Sequence, residues 1–422
     1  MLCLSVLPRQ IVRGRPLLSR KSALTVAVVG GVAMGGAIAT LPWESEVQYG
    51  MDRDPTPLEH TGPISHELYS RTTVFFDSHG VRCEAWFYEP SALTRERMDL
   101  GRPPPIVVMA HGLGSQKDMG LHPYAEQFAA SGLAVMVFDY RSFGGSDGWP
   151  RHEVNWRKHL EDWEAAVEWV AAGGLGTDRV DPRRLALWGV SYSGGHVLST
   201  AAALGPERVA AVVANEPYLQ AQTAVAQLVQ ERGLVTLARA VAAAVRGALG
   251  MTPAYIKLIG GPGELSLLQL SAEEMEQVGG EEVRGVRVQR PAPQRQGGWR
   301  NLATARMVGW GDGGLLGAAA YNPLSVCPRV ACPALVVAGT RDTVCPPELA
   351  RKAVEVMGSR VGGGAGAGGE DRARLLERPH GHLELHKRGA EPEHIRPEHL
   401  GGVVVDSAPA GPLGHQAECQ FG

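Results

Sequence analysis

The sequence lacks an excess of charge of either sign. Its 422 residues carry 41 Lys and Arg against 44 Asp and Glu, which gives a formal net charge of -3. Proteins that bind nucleic acid usually present a basic field to the phosphates, and none stands out here. We therefore expect no nucleic-acid partner. The length is sufficient to bury a large core in one α/β domain with insertions, or in two smaller domains.

The cysteines lack the spacing of a structural metal site. The six are Cys3, Cys83, Cys327, Cys332, Cys345 and Cys419. They form no C-x-x-C pair, and no histidine stands at zinc-finger spacing from them. The sequence therefore indicates neither a disulfide framework nor a zinc site. We expect buried free thiols, no metal and no organic cofactor.

Acidic residues are absent from the first 43 positions, where five basic residues precede a charge-free stretch over residues 23–41. This pattern is typical of targeting segments, and three interpretations remain open. It fits a transit peptide for the mitochondrion or chloroplast, a signal peptide ending at Ala37-Ile38-Ala39, or a membrane anchor that contacts the bilayer through residues 23–41. We predict that residues 1–43 target or anchor a soluble catalytic domain.

Beyond this segment, short apolar runs alternate with helical patterns. Predicted strands cover residues 106–110, 134–138, 184–188, 209–213 and 334–338, and predicted helices cover 121–130 and 156–171. A hairpin is expected at 73–88 around Ser78-His79-Gly80. Such alternation predicts the α/β class, with a mostly parallel sheet covered by helices on both faces. Functional residues are then expected at the carboxyl ends of the strands.

The alternation stops between residues 218 and 325, where Ala/Val-rich helical stretches such as 223–248 predict an inserted helical cap. A separate interaction domain is the alternative for this insertion. The core then comprises residues 44–217 and 326–387. The tail over 388–422 is rich in Pro and Gly without helical periodicity, and we predict that it is disordered.

Two serines compete as nucleophile. Ser146 lies in Gly144-Gly145-Ser146-Asp147-Gly148, a literal G-x-S-x-G, but Trp149-Pro150 follows it and no strand leads directly into it. Ser191 follows the apolar run 185–190 and precedes a helix rich in small residues, although its motif is G-x-S-x-S. A serine nucleophile requires this strand-turn-helix context. We therefore predict that Ser191 is the nucleophile and that Ser146 belongs to a surface loop rich in Gly, Ser and Asp.

A serine hydroxyl needs a base and a carboxylate to become nucleophilic at neutral pH. Asp342 follows the apolar run 334–338 and is the predicted acid. His382 is the predicted base, and His380 is the alternative. A metal site formed by histidines 380, 382 and 386 is disfavoured, because Pro379 and Gly381 break the helix that their spacing would need.

The oxyanion of an acyl-transfer reaction needs backbone donors. Residues 109–114, with the sequence Met-Ala-His-Gly-Leu-Gly, follow the strand at 106–110 in an open, glycine-lined turn. This turn can present the Leu113 amide beside the Tyr192 amide, so these two are the predicted donors. We expect His111 to brace the loop.

Four collinear segments, 109–121, 138–148, 188–196 and 322–323 with the Asp342 loop, resemble the α/β-hydrolase superfamily. Within it the chain is similar to the dienelactone-hydrolase-like and peptidase-like branch, which includes fungal polyketide-tailoring hydrolases and acyltransferases. The resemblance implies the α/β-hydrolase fold and explains the motif at Ser191, since the branch has G-x-S-x-S-G-G there. One departure concerns the base: the branch usually has Gly-Gly-His-Phe-Asp, whereas this chain has residues 380–384 as His-Gly-His-Leu-Glu.

These features predict a serine hydrolase that cleaves an ester, thioester, lactone or amide bond of a small-molecule acyl substrate through an acyl-enzyme. Two alternatives remain. The same triad would also serve an acyltransferase, and the fold could be a catalytically inactive, membrane-tethered binding protein. The substrate and the oligomeric state are left open by the sequence.

Overall fold

The computed structural model describes residues 63–221, 255–260, 266–269, 302–304, 320–358 and 373–382. Several predictions fall outside these residues. They are the targeting segment 1–43, the cap helices over 223–248, His386 and the tail over 388–422. Among the described residues, no helix has the length and apolar character needed to cross a bilayer.

Within the described residues, nine strands form one sheet. In chain order they are β1 (Ile64–Ser65), β2 (Tyr69–Ser78), β3 (Val81–Pro90), β4 (Pro105–Ala110), β5 (Ala134–Phe138), β6 (Asp181–Val190), β7 (Ala211–Asn215), β11 (Ala334–Gly339) and β12 (Ala373–Arg378). The order across the sheet is β1-β2-β3-β5-β4-β6-β7-β11-β12. Along this order, every neighbouring pair from β5 to β12 is parallel. Strands β1, β2 and β3 form an antiparallel edge. The predicted mostly parallel α/β sheet is confirmed.

Five helices flank the described part of the sheet or its loops. They are α1 (Ala92–Arg97), α2 (His122–Ala130), α3 (Trp156–Ala171), α4 (Tyr192–Leu204) and α5 (Pro347–Gly358). The start of α3 has a clear local cause, because the Asn155 side chain accepts hydrogen bonds from the amides of Arg157 and Lys158. Such a cap satisfies amides that have no partner inside the helix.

Both faces of the sheet are buried, as the strand β4 illustrates. Successive side chains of a strand point to opposite faces. Ile106 and Val108 accordingly pack in one apolar cluster with α3 and α4, whereas Val107 and Met109 pack in a second cluster with α2. A continuous apolar run is therefore what a strand between two helical layers requires.

The described part of the insertion is a small sheet. Its strands are β8 (Tyr255–Gly260), β9 (Ser266–Gln269) and β10 (Leu302–Thr304), in the order β10-β8-β9. Strand structure at these positions differs from the helical cap predicted from the sequence. The Leu258 side chain is buried and lies over Gly114, where a Cβ atom would come within 2.5 Å of it.

Candidate active site

Ser191 stands on a sharp turn between β6 and α4. Its backbone has φ 57° and ψ -117°, a left-handed conformation that is unusual for a residue with a side chain. Gly189 makes the turn possible, because a Cβ there would meet the Ser193 carbonyl oxygen at 2.4 Å. The predicted strand-turn-helix setting of Ser191 is therefore present, at the carboxyl end of β6.

The segment after β7 holds this turn from the side. The Ser191 amide donates to the Asn215 carbonyl at 2.9 Å, and the Tyr218 amide donates to the Ser191 carbonyl at 2.8 Å. Two backbone hydrogen bonds thus tie the strained residue to the neighbouring strand end. We infer that they offset part of the cost of its positive φ.

Three side chains meet above the carboxyl ends of the central strands. His382 Nε2 lies 2.9 Å from Ser191 Oγ, and His382 Nδ1 lies 2.8 Å from Asp342 Oδ2. An ionised carboxylate only accepts hydrogen bonds, so Nδ1 must carry the donated proton. The neutral ring then has its Nε2 lone pair directed at the serine hydroxyl.

Asp342 is fixed by its own loop. Its Oδ1 atom accepts hydrogen bonds from the amides of Val344 and Cys345 at 2.8 and 2.7 Å, and the residue is 4% exposed. Because Oδ1 is occupied by the loop that follows β11, Oδ2 is left for the imidazole. The carboxylate therefore has one orientation with respect to His382.

The electrostatic environment of His382 favours its charged form. Burial lowers the pKa of the ring, but Cys345 and the hydrogen-bonded Asp342 carboxylate outweigh burial and raise this pKa well above its ordinary value. Burial raises the pKa of the Cys345 thiol. We attribute the shift of His382 chiefly to Asp342, since a protonated thiol carries no charge.

The two predicted oxyanion donors, Leu113 and Tyr192, belong to segments next to Ser191. Gly112 lies against Ser191, with its Cβ position 3.5 Å from Ser191 Cβ, and the predicted donor Leu113 is the next residue in the sequence. Tyr192 is the first residue of α4, where an amide has no intrahelical acceptor and the helix dipole is positive. His111 is 1% exposed, and burial lowers the pKa of its ring to about 4. Its neutral ring contacts the Gly112 carbonyl at 3.0 Å, consistent with the predicted bracing role.

Ser146, the competing serine, is completely buried. Its hydroxyl donates to the Asp139 carbonyl at 2.7 Å and accepts from the Glu84 amide at 2.8 Å. Both hydrogen bonds tie its loop to β3 and to the end of β5. A hydroxyl so engaged cannot reach a substrate, although the loop is an internal one rather than the surface loop expected from its composition.

A buried ion cluster lies beneath the loop that follows β4. Lys117 is fully buried, and its Nζ atom lies 2.5 Å from Asp139 Oδ2 and 2.7 Å from Glu84 Oε1. Asp139 also accepts hydrogen bonds from the Lys117 and Gly145 amides. These contacts outweigh burial, so the pKa of Lys117 is raised and that of Asp139 is lowered.

We expect Lys117→Met to lower the free energy of unfolding by about 3–5 kcal/mol, because it leaves buried carboxylates without a counter-charge. Urea denaturation measures this loss. The matched control is Arg82→Met, which breaks an exposed ion pair with Asp147 and should cost less than about 1 kcal/mol. Equal losses for the two variants would contradict a special contribution from the buried cluster.

A second carboxylate-histidine pair lies beside the first, and sequence reasoning missed it. Glu216 follows β7, is 1% exposed and has φ 43°. His380 Nδ1 lies 2.9 Å from Glu216 Oε1, and His382 Nδ1 lies 3.7 Å from Glu216 Oε2. Burial raises the pKa of Glu216 against the opposing effect of both histidines. The structure thus turns His380, the alternative base, towards Glu216, and His382 towards Ser191.

Within the described residues, one group has side-chain donors close enough to hold a metal ion. Asp342, Cys345 and His382 offer ligand atoms within 4.8 Å of one another. Asp342 and His382 are hydrogen-bonded to each other, and both are predicted members of the triad. His386, the third histidine of the disfavoured metal hypothesis, lies outside the described residues.

The fold and this site define the class of the protein: it has the α/β-hydrolase fold. Residues 79–252 match the family model described as X-Pro dipeptidyl-peptidase (S15 family). The resemblance to the peptidase-like branch of the α/β hydrolases is therefore confirmed.

Three similar proteins illustrate the relationship. The quorum-quenching protein AidA of Acinetobacter baumannii is 36% identical over 195 residues, covering 46% of this chain and 60% of AidA. Thiohydrolase aneE of Aspergillus aculeatus is 34% identical over 142 residues, covering 32% and 43%. Polyketide transferase grgF of a Penicillium species is 35% identical over 115 residues, covering 27% and 37%. This chain thus spans less than two thirds of the length of each relative.

A solved structure carries the comparison over most of the fold. The crystal structure of the α/β hydrolase GrgF from Penicillium superimposes with a TM-score of 0.54 at 20% identity. The superposition covers 79% of this chain and 99% of GrgF. At this identity the likeness establishes the fold, and the chemistry has to be argued from the site.

Proposed function

We propose that the protein is a serine hydrolase that cleaves an ester, thioester, lactone or amide bond of a small molecule through an acyl-enzyme. The observation that carries the proposal is the hydrogen-bonded series from Ser191 through His382 to Asp342, at 2.9 and 2.8 Å. At these distances a proton can pass from the serine hydroxyl to the imidazole without rearrangement of the side chains. The class of relatives agrees, since a thiohydrolase and a polyketide transferase are among them.

The geometry supports the following course. Ser191 Oγ attacks the carbonyl carbon of the substrate while its proton passes to His382 Nε2, and the Asp342 carboxylate stabilises the resulting imidazolium. The Leu113 and Tyr192 amides bind the oxyanion of the tetrahedral intermediate. This intermediate collapses, and His382 returns the proton to the departing alcohol, thiol or amine. Water then attacks the acyl-enzyme with His382 again as base, which releases the acid and frees Ser191.

A fluorophosphonate probe tests the proposal without knowledge of the substrate. The probe phosphonylates serines that are activated by a base, so we expect it to label the full chain covalently. Intact-protein mass spectrometry detects the adduct. Absence of an adduct under conditions that label a control hydrolase would favour the inactive binding protein and overturn the enzyme proposal. Profiling with esters, thioesters and amides then identifies the substrate class.

An acyltransferase is the second candidate, and the polyketide transferase among the relatives favours it. It differs only in the last step, where an alcohol or amine replaces water. Candidate acceptors added to a preformed acyl-enzyme distinguish the two functions. Faster loss of the acyl-enzyme with a new acylated product supports transfer, whereas release of the free acid at an unchanged rate supports hydrolysis.

The raised pKa of His382 predicts how the activity depends on pH. A general base works only when unprotonated, so activity is present above the pKa of the ring and is lost as the pH falls through it. We expect the acidic limb of the kcat/KM profile above about pH 6.5, the ordinary value for histidine. Asp342→Asn should shift this limb to lower pH as it reduces the rate. A limb that remains in place in this variant would contradict the assignment of Asp342.

The N-terminal segment is proposed to target or anchor the enzyme. This proposal rests on the absence of acidic residues before Glu44 and on the charge-free stretch over residues 23–41. Imaging a fluorescent protein fused to residues 1–45 tests the address. Diffuse fluorescence, with no enrichment in an organelle, a secretory compartment or a membrane, would contradict it.

A further inference from the structure

We propose that Glu216 is a second carboxylate that positions His382, so that the base is oriented by two acids that project from two neighbouring strands. The inference rests on the proposed function, because it concerns the base of that same site. Glu216 acts through another side chain and is thus a positioning residue. Its chemistry is the acceptance of the His382 Nδ1–H hydrogen bond when Asp342 does not hold it.

Glu216 and Asp342 stand at the ends of two neighbouring strands. Glu216 directly follows β7, and Asp342 follows β11, the next strand in the sheet. The carboxyl ends of these parallel strands meet at one edge. Both carboxylates consequently reach the same imidazole nitrogen, with Asp342 Oδ2 at 2.8 Å and Glu216 Oε2 at 3.7 Å from His382 Nδ1. A shift of less than about 1 Å would bring Glu216 into hydrogen-bonding range.

Glu216 is both buried and strained, and each property lowers the stability of the fold. Its side chain has no exposed surface, and its backbone has a positive φ of 43°. Burying a carboxylate is unfavourable unless it is paired, and a left-handed glutamate adds strain. A neutral or apolar residue would avoid the first penalty. Such a combination of burial and strain is characteristic of functional sites, where the surrounding structure holds a residue in place.

His380 and strand β11 both lie against Glu216. His380 Nδ1 lies 2.9 Å from Oε1, and the Glu216 amide donates to the Val337 carbonyl of β11 at 2.7 Å. Gly339 leaves room for this pair, because a Cβ there would meet the His380 carbonyl at 2.5 Å and Glu216 Oε1 at 3.0 Å. The His380 ring thus lies against one oxygen of the carboxylate, and the other oxygen faces His382.

The test compares the effect of Glu216→Gln in two backgrounds, using the rate constant of fluorophosphonate labelling of the full chain. In the wild type we expect a loss of less than about 10-fold, since Asp342 still orients the base. In Asp342→Ala, Glu216→Gln should lower the labelling rate constant by a factor at least about 30 times larger than in the wild type. Both carboxylates that face His382 Nδ1 are then absent. Loss of that partner costs about 10⁴-fold in the Ser-His-Asp template.

A residue that only stabilised the fold would lower labelling by the same factor in both backgrounds, and equal factors would overturn the inference. The matched control is Asp162→Asn, which removes another buried carboxylate, one paired with Arg141 and Ser78. It should cost the same factor in the wild type and in Asp342→Ala. A factor for Asp162→Asn that also rose in Asp342→Ala would likewise count against Glu216.

Failure of this inference can be distinguished from failure of the proposed function. Equal factors, together with labelling that depends on Ser191, would remove Glu216 and leave the triad in place. Labelling that does not depend on Ser191 would remove both. If Glu216→Gln gives too little folded protein, Glu216→Asp serves instead, because it keeps the charge but withdraws the carboxylate from His382 by one methylene. It too should cost more in Asp342→Ala than in the wild type, and equal costs would overturn the inference.

Discussion

Ser191→Ala is expected to abolish covalent labelling by a fluorophosphonate and to reduce kcat by about 10⁴-fold or more. The substitution removes the hydroxyl oxygen that lies 2.9 Å from His382 Nε2. Triad nucleophiles show losses of this size because the remaining machinery binds the substrate but forms no acyl-enzyme. Mass spectrometry of the intact protein and steady-state kinetics measure the two effects.

Ser146→Ala is the matched control for this experiment. It removes a hydroxyl of the same kind from the literal G-x-S-x-G sequence, so labelling should remain at the wild-type level. The variant should instead lose about 1–3 kcal/mol of unfolding free energy, because its two buried hydrogen bonds to Asp139 and Glu84 disappear. Persistent labelling in Ser191→Ala, or its loss in folded Ser146→Ala, would refute the choice of nucleophile.

His382→Ala has the second large expected effect, a loss of about 10⁴-fold or more in kcat. The substitution removes the proposed general base, whose ring lies between Ser191 and Asp342. Steady-state kinetics on an ester identified by substrate profiling measures the loss. KM should change far less than kcat, because the imidazole acts on the transition state rather than on the bound ground state.

His380→Ala separates the two histidines. Its ring faces Glu216 at 2.9 Å, whereas the His382 ring faces Ser191, so we expect a much smaller loss of kcat than in His382→Ala. Its stability should fall instead, because Glu216 is left buried without its partner. If His380→Ala had the larger kinetic effect while remaining folded, the assignment of the base would be wrong.

Much of the fold could be predicted because its strands are buried on both faces. Such strands are continuous apolar runs, and the run at 134–138 coincides with β5. Helix α3 coincides with the helix predicted at 156–171, and Asn155, which directly precedes it, caps its first turn. Strands β8 to β10 were missed, because they are only three to six residues long and interrupt a region rich in helix-forming residues.

The candidate site could be predicted only in part. Ser191 and Asp342 each follow an apolar run closely, so the strand pattern itself indicates where they project. The two histidines offered no such distinction, because they are the same residue type two positions apart. Glu216 was not predicted, because its pairing with His380 joins two residues that are 164 positions apart in the sequence. One signal could have found it: a carboxylate at the carboxyl end of a buried strand next to the nucleophile strand.

The order of the strands also has a consequence for the synthesis of the chain. Ser191 and its base are 191 positions apart, and the insertion between β7 and β11 must be made before β11 and β12 can join the sheet. Contacts of such long separation form late, because a large loop must first be closed. The Ser191 turn is therefore synthesised well before the proposed base His382, and we expect the serine of a partly made chain to be unreactive. Reactivity towards a fluorophosphonate would then report that the last strands have docked.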